Sequence, residues 1–415
     1  MTPHHIAKTF NTKVMIPGSK SMTYRVLLLA ALSDGISEIE GMLVNEEILL
    51  FVEALHRLGI MIHLDQETFS CIVGGNDGQF PRQEAFIHCG QAKTATLFLM
   101  AACAASVGRY EFNGTAAFAK HSLKSFIEIL TALGVTVLSE DQSDFPIIIL
   151  GAEKLKGGEI AIDAAQNGQL VSALLMIAPF AKSNIIIKAK NIMHDPDVNM
   201  TCDMMGDFGV LVRRMHQSFF SVPVPQRYHA RFYQVEPDLL VAAYFFAAAA
   251  LTGQTITIQP INIAETKQAE FEFLTFLKKM GCKIIDDENG LQLTSPDVLQ
   301  GINADMRNCS STFMALAVIA PFAVTPTTLT NIQSTKHTVV RKELEKCGIK
   351  IEEGKDWLKI FPSTPKAAIV QTHQEYQLAM AFAILKLKVP GLQVEDRSCI
   401  ESIYPQFFKL WNKFF

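Results

Sequence analysis

Two patterns of hydrophobic and polar positions alternate along the chain. In the first, an Ala/Leu-rich run with few polar side chains meets a helix breaker and passes into a strand-patterned stretch. It reads YRVLLLAALSDGISEIEGM, TATLFLMAACAASVGRYEFNG and QLVSALLMIAPFAKSNIIIKA, then VAAYFFAAAALTGQTITIQPI, TFMALAVIAPFAVTPTTLTNI and QLAMAFAILKLKVPGLQVED. The predicted helix stops are Gly35, Gly108, Ser183, Gly253, Thr325 and Pro390, a period of roughly 65–75 residues, longer than a solenoid repeat. Helices apolar on nearly every side are expected to be buried and packed through small Ala side chains. The second pattern is an amphipathic helix closing on glycine before a short strand: EALHRLGIMI, EILTALGVTV, MMGDFGVLV, FLKKMGCKI and ELEKCGIKI. Gly59, Gly134, Gly209, Gly281 and Gly348 stand where a helix C-cap requires left-handed backbone. These helices should face solvent, and a sixth copy is not evident before Phe415. Six units of two helices plus short strands predict an α/β protein built by internal duplication. The stretch QRYHARFYQVEPD, from Gln226 to Asp238, interrupts the pattern with three units on either side.

Composition fits this picture. At 415 residues the chain exceeds one ordinary core, so two domains are expected. Hydrophobic residues make up 49% of the chain and charged ones 19%, which excludes a disordered protein. A net charge of −4 gives no whole-chain reason to expect a nucleic-acid partner, while leaving room for a local basic pocket that takes a small anion. The eight cysteines are scattered without a CxxC pair, so they are expected to be reduced and mostly buried, as in the cytoplasm. The N-terminal MTPHHIAKTF lacks the apolar core of a signal peptide, and runs such as Leu239 to Leu251 fall short of the ~20 residues of a membrane span. No membrane association, no metal and no organic cofactor are expected; Gly74-Gly75 is not a nucleotide loop. The quaternary expectation is a monomer or weak oligomer.

The richest chemistry lies at Pro17-Gly18-Ser19-Lys20-Ser21-Met22-Thr23-Tyr24-Arg25. A turn runs into a helix start, whose free N–H groups and positive end face the Lys20/Ser21 pair, with Arg25 one turn further on. That arrangement invites a phosphate or carboxylate. The segment, followed by LLLAAL, closely resembles the first signature of the 5-enolpyruvylshikimate-3-phosphate (EPSP) synthase family. HCGQAKTATLFLMAA, IDAAQNGQLVSALLMIAPFA, VEPDLLVAAYFFAAAA and INADMRNCSSTFMALAVIA resemble further family segments, so the likeness runs through essentially the whole chain. UDP-N-acetylglucosamine enolpyruvyl transferases share the fold but carry Lys-Asn where Lys20-Ser21 stand here.

The resemblance implies a two-domain, inside-out α/β barrel with three βαβαββ-type units per domain and a ligand cleft between the domains. It implies one domain over residues 16–228 and another over 1–15 plus 229–415, with hinge crossings near 14–17 and 227–233. It further implies a reaction that moves the carboxyvinyl group of phosphoenolpyruvate onto the 5-hydroxyl of shikimate 3-phosphate. Such chemistry needs cations for two anionic substrates, an acid for the enol methylene and a base for the attacking hydroxyl. By resemblance Lys20, Ser21 and Arg25 grip the shikimate phosphate, with Gln169 beneath the ring and Thr94 also matching.

Elsewhere the chain departs from the pattern. Lys93 replaces a glycine that admits phosphoenolpyruvate, Leu97 and Ala117 stand for arginines, and Asn167 and Gly168 replace paired serines. A Ser-Lys-Pro-Tyr segment reads His194-Asp195-Pro196-Asp197. The catalytic aspartate aligns with Ser311, and a shortened loop leaves Ser334-Thr335-Lys336-His337 with Arg341 beyond. An Asp-His-Arg signature reads Glu375-Tyr376-Gln377, and a late lysine falls near Ser402. Each lost arginine removes a charge-assisted contact of about 1.5–3 kcal/mol.

New ionisable groups appear at Lys93, Lys120, His121, His194, Asp197 and Glu375. Lys120 and His121 also read as a solvated loop, and His194 and Asp197 as a Pro-containing turn. A cation at a helix start is unfavourable alone, so Lys93 calls for a bound anion or a carboxylate such as Glu46 or Glu47. The expected catalytic set is Lys20, His194, Asp197 and Glu375. The expected substrate-binding set is Lys20, Ser21, Arg25, Lys93, Thr94, Asn167, Gln169, Ser311 and Lys336. The sequence reading is a diverged enzyme that takes a shikimate-like or other cyclic anion and no longer uses phosphoenolpyruvate. The alternatives are a genuine 3-phosphoshikimate 1-carboxyvinyltransferase with compensating substitutions, and a non-catalytic ligand-binding or scaffold homologue.

Overall fold

A computed structural model describes residues 12–114, 120–139, 145–163, 168–192, 195–216, 218–259, 261–332 and 336–415. The chain divides into two compact units, one formed by Gly18–Val235 and the other by Met1–Pro17 with Glu236–Phe415.

The Gly18–Val235 unit holds helices α1 (Lys20–Leu32), α2 (Glu46–Arg57), α3 (Lys93–Ala104), α4 (Lys120–Ala132), α5 (Gly168–Ile177) and α6 (Pro196–Asp207). The second unit holds α7 (Leu239–Thr252), α8 (Phe273–Lys279), α9 (Phe313–Ile319), α10 (His337–Lys346) and α11 (Tyr376–Lys386), then α12 (Ser398–Ile403) and α13 (Phe407–Phe414). The odd-numbered members from α1 to α11 are the Ala/Leu-rich runs, and nearly every side chain on them is buried. α1 and α5 pack on α3 in the first unit, as α7 and α11 pack on α9 in the second. The even-numbered members from α2 to α10 are the amphipathic set.

Each repeat carries its own small sheet. In the repeat around α3, strand Glu84–His88 pairs in parallel with Gly108–Asn113, which pairs antiparallel with Ile147–Gly151, and that strand with Thr136–Leu138. The order of elements is βαβαββ. The repeat around α5 and that around α9 follow the same plan. In the first repeat of each unit the leading strand comes from elsewhere in the chain. Phe232–Gln234 pairs in parallel with Ile36–Glu40, and Thr12–Met15 pairs in parallel with Thr255–Gln259. This is why the division at Val235 falls beyond the expected 228/229: the Phe232–Gln234 strand belongs to the first unit's sheet. Pro17 stays with the second unit, where its carbonyl accepts from the Asp238 N–H at 2.8 Å.

The closing glycines of the amphipathic helices behave as read, with φ of +92°, +93°, +89°, +105° and +74° at Gly59, Gly134, Gly209, Gly281 and Gly348. The stops of the buried helices do not. Those helices end at Leu32, Ala104, Ile177, Thr252, Ile319 and Lys386, and of the six predicted breakers only Gly253 is a helix cap. Pro179 and Pro321 have no N–H to extend the ladder, so α5 and α9 give way to single 3₁₀ turns, Ala178–Phe180 and Ala320–Phe322. Gly35 and Gly108 belong instead to the entry into the following strand.

All eight cysteines are free, and seven are buried. Among the described residues no helix is long and apolar enough to cross a membrane.

Gly348 isolates the backbone contribution of these caps, because a Cβ there would meet nothing closer than 3.8 Å. Gly348→Ala is therefore expected to cost about 1–2 kcal/mol from left-handed backbone alone, read as a lower denaturation midpoint.

Candidate functional site

The buried helices leave the free N–H groups of their first turns as the places where chemistry can gather. At α1, Ser19 is the N-cap and its Oγ accepts from Met22 N at 3.5 Å, while Thr23 Oγ1 donates to the Ser19 carbonyl at 2.8 Å. Lys20 is the first helical residue. Its Nζ lies 2.5 Å from Glu47 Oε2, to which Tyr24 Oη also donates at 3.1 Å. Burial raises the Tyr24 pKa, and the Glu47 charge adds to it, so Tyr24 serves as a neutral donor. Glu47 belongs to the first turn of α2, where a carboxylate is favoured by the helix end. It was expected as a partner for Lys93 and instead holds Lys20, because α1 and α2 pack directly. Ser21 is half-buried at the next position.

Arg25 departs further from expectation. Only 1% of its surface is exposed, and its guanidinium is committed within the protein. Nε donates to Thr201 Oγ1 at 2.7 Å, Nη1 to the Ser21 carbonyl at 2.9 Å, and Nη2 to the Asp197 carbonyl at 3.1 Å and Oδ1 at 3.2 Å. The Phe98 ring centroid is 5.4 Å away. Thr201 Oγ1 in turn lies 2.8 Å from Ser172 Oγ, so one polar network joins α1, α5 and α6 through the core. Burial lowers the Arg25 pKa while the Asp197 and Asp195 charges oppose that shift. Removing Asp197 would leave a buried guanidinium without its counter-charge. Arg25 thus fastens helices together rather than offering an open fork at the α1 start. Asp197, expected as a catalytic group on a turn, is its ion-pair partner.

Asp195-Pro196-Asp197 is not a simple turn. Asp195 is the N-cap of α6 and Pro196 its first residue, a pairing suited to a helix start. Asp195 Oδ1 accepts from Asp197 N at 3.0 Å and Val198 N at 3.3 Å. Its carboxylate presses on the α5 start so closely that a Cβ on Gly168 would fall 1.9 Å from Oδ2. Glycine at 168 makes room for Asp195. Gln169 follows, half-buried.

Lys93 opens α3, whose N-cap Ala92 has no side chain to satisfy the free amides. Lys93 is exposed and forms no ion pair among the described residues; Thr94 beside it is half-buried. Asn167 and His194 lie outside the described residues, as do Ala117, Ser334 and Thr335. α4 begins at Lys120, so Lys120 and His121 belong to a helix start, not a loop; their side chains are outside the description.

The second unit repeats the logic with a different charge. Asp238 caps α7, accepting from Leu240 N at 3.0 Å and Val241 N at 3.3 Å, and its Oδ2 accepts from Tyr404 Oη at 2.9 Å. Gln268 Oε1 accepts from Leu239 N at 3.0 Å while its Nε2 donates to Glu236 at 2.9 Å. At the 3₁₀ turn leading into α9, Ser311 Oγ donates to Glu270 Oε1 at 2.9 Å. Glu375, the N-cap of α11, is ion-paired with Lys336, the N-cap of α10. Two residues expected separately, as a catalytic acid and a substrate cation, are thus each other's partners. Arg341 is held in surface pairs with Glu345 and Glu353. Glu270 carried no sequence signal, because QAEFEFL matches no motif and its partner lies 41 residues on. Among the described residues no group of three or more His, Cys, Asp or Glu is arranged to hold a metal ion.

Comparison with known proteins gives this architecture its place. An EPSP synthase from Acinetobacter baumannii superposes with a TM-score of 0.85 at 20% identity, covering 98% of this chain and 96% of that one. The enolpyruvyl transferase NikO from Streptomyces tendae superposes with a TM-score of 0.76 at 17% identity. The fold is therefore the two-domain α/β fold of enolpyruvyl transferases. In sequence, the family model for EPSP synthase (3-phosphoshikimate 1-carboxyvinyltransferase) matches residues 5–411. Relatives named 3-phosphoshikimate 1-carboxyvinyltransferase include one from Nostoc punctiforme, 36% identical across 95% of this chain and 94% of its own length. One from Trichormus variabilis is 34% identical across 96% and 95%. The chain belongs to the EPSP synthase family.

The environment of Asp195 yields a test with a definite sign. Burial, reinforced by the Asp197 charge, raises its pKa against the lowering effect of its amide donors and Arg25. Its ionised form is thus disfavoured by folding, and the stability it contributes is lost as pH rises through that raised value. Asp195→Asn keeps a capping oxygen and is expected to raise Tm at pH 7. The gain should shrink as the pH falls toward about 4, where an ordinary aspartate is half protonated.

Proposed function

We propose that this chain is a 3-phosphoshikimate 1-carboxyvinyltransferase, transferring the carboxyvinyl group of phosphoenolpyruvate to the 5-hydroxyl of shikimate 3-phosphate. The observation that carries this reading is end-to-end likeness at 34–36% identity to relatives bearing that name. The α1 start supports it chemically. Free amides, the helix's positive end and Lys20 suit a phosphorylated anion, and Glu47 is the group such an anion would displace from Lys20. Glu270 supports it at the other unit: hydrogen-bonded to Ser311, it supplies a carboxylate beside the position where the resemblance puts an aspartate. A carboxylate there can serve the proton transfers that the reaction requires.

A second reading is favoured by a specific observation. The Arg25 fork is filled by Asp197, and Lys93 stands where the resemblance expects a glycine that admits phosphoenolpyruvate. On that reading the chain binds a cyclic phosphorylated anion but performs other chemistry on it.

Phosphate release in the presence of both substrates, with thermal shifts for each ligand alone, separates the two. Turnover at an ordinary enzyme rate supports the first. A shift with shikimate 3-phosphate, none with phosphoenolpyruvate and no phosphate release overturns it in favour of the second. Lys20→Ala is expected to abolish the shikimate 3-phosphate shift under either. Under the first, Glu270→Gln should lower kcat by about 10²-fold or more while leaving that shift in place.

A further inference from the structure

Glu270 rides on a segment that apolar packing does not hold. The 3₁₀ turn that carries it, Ala269–Glu272, leaves every one of its residues at least partly exposed, as are residues 261–267 before it. So short a turn has few backbone bonds to stiffen it. Its fixed points are Phe273, 1% exposed, on one side and Gln268, 2% exposed, on the other. Phe273 opens α8 as an ordinary apolar anchor, whereas Gln268 is a polar one. The hydrogen bonds of the Gln268 side chain all run to the chain entering α7. Oε1 accepts from the Leu239 N–H at 3.0 Å, while Nε2 donates to the Pro237 carbonyl at 2.8 Å and to Glu236 Oε2 at 2.9 Å. The Glu236 carboxylate also accepts from the Thr266 hydroxyl and, at 3.1 Å, from the Lys267 N–H. The α7 start is itself fixed by Asp238, which caps it and accepts from Tyr404 Oη. Two residues beyond Gln268, Glu270 Oε1 accepts from the Ser311 hydroxyl at 2.9 Å.

We propose that Gln268 is the positioning residue for Glu270. Its buried amide ties the exposed loop to the α7 start and so sets the Glu270 carboxylate at the Ser311 hydroxyl. An amide whose oxygen and both Nε2 protons are already engaged inside the protein is suited to holding a loop, not to taking a ligand. Placement matters because a shift of about 1 Å in a reacting group can cost on the order of 10²-fold in rate. Glu236 completes the device by gathering Thr266, Lys267 and Gln268 onto one carboxylate. The inference rests on Glu270 serving the proton transfers of carboxyvinyl transfer.

The test is a double-mutant cycle on the full chain, with phosphate release from shikimate 3-phosphate and phosphoenolpyruvate as the readout. The four proteins are wild type, Gln268→Leu, Glu270→Gln and the double variant, each checked for folding by circular dichroism. Gln268→Leu should lower kcat at least about ten-fold in the wild-type background, with KM for shikimate 3-phosphate changed by less than about two-fold. In the Glu270→Gln background the same change should cost less than about two-fold, because the group it positions is already gone. A residue that merely stabilises the unit would lower kcat by the same factor in both backgrounds, and that result would overturn the proposal. So would an unchanged kcat for Gln268→Leu or for Glu270→Gln, or a loss that lies in KM. Should Gln268→Leu not fold, Glu236→Gln replaces it in the cycle. That variant keeps one oxygen for the donors that Glu236 now serves, and its smaller loss, about three-fold, should vanish in the Glu270→Gln background by the same logic. A wild type that releases no phosphate overturns the carboxyvinyl-transfer reading and this assignment together. A wild type that does, with losses that multiply in the double variant, overturns this assignment alone.

Discussion

A helix buried on every side can show polar groups only at its ends. Six such helices form the cores of this protein, and most of what distinguishes it follows from how their first turns are satisfied. Four amides per helix need acceptors, and side chains supply part of them: Ser19 for α1, and Asp238 with Gln268 for α7. α3 begins at Ala92 with no side-chain acceptor. Function is therefore concentrated where folding leaves unspent hydrogen-bonding capacity. The amphipathic helices and the small sheets, among the described residues five of four strands and one of two, surround these cores and keep their apolar flanks from water.

The first turns carry charge of both signs, and here the units differ. Around α1, α3, α5 and α6 stand Lys20, Lys93 and Arg25, with Glu47, Asp195 and Asp197 set against them. Around α7, α9 and α11 stand Asp238, Glu270 and Glu375, with Lys336 as a counter-charge. The resemblance would put an arginine and a catalytic aspartate at Gln377 and Ser311, yet carboxylates remain close by through Glu270 and Glu375. The fold tolerates this because a first-turn side chain is half in solvent. Its identity changes the electrostatics without disturbing the packing one turn deeper.

What the sequence revealed and what it hid divide along range of interaction. The repeat, the buried and amphipathic helices and the five closing glycines were legible, since each is fixed by neighbours a few residues away. Gly209 needs only its own helix to require φ near +89°. The stops of the buried helices misled, because Gly35 and Gly108 serve the next strand and Pro179 and Pro321 act first. The site was legible in its residues but not in its pairings. Lys20, Arg25, Asp197, Lys336 and Glu375 could be named, but nothing local joins Arg25 to a residue 172 positions away, or Lys336 to one 39 away. Partners set by tertiary packing turned three expected ligand contacts into internal ion pairs.

The exchange of leading strands has a consequence for biosynthesis. As the chain leaves the ribosome, Thr12–Met15 emerges long before its sheet partner Thr255–Gln259 exists, whereas the Gly18–Val235 unit is continuous and is closed by its own last strand, Phe232–Gln234. The N-terminal strand must wait, unpaired, through the synthesis of an entire neighbour. Once residue 235 has cleared the ribosome, the nascent chain should therefore hold one finished unit and a dangling β edge, the species most open to chaperone capture or to misdirected strand pairing.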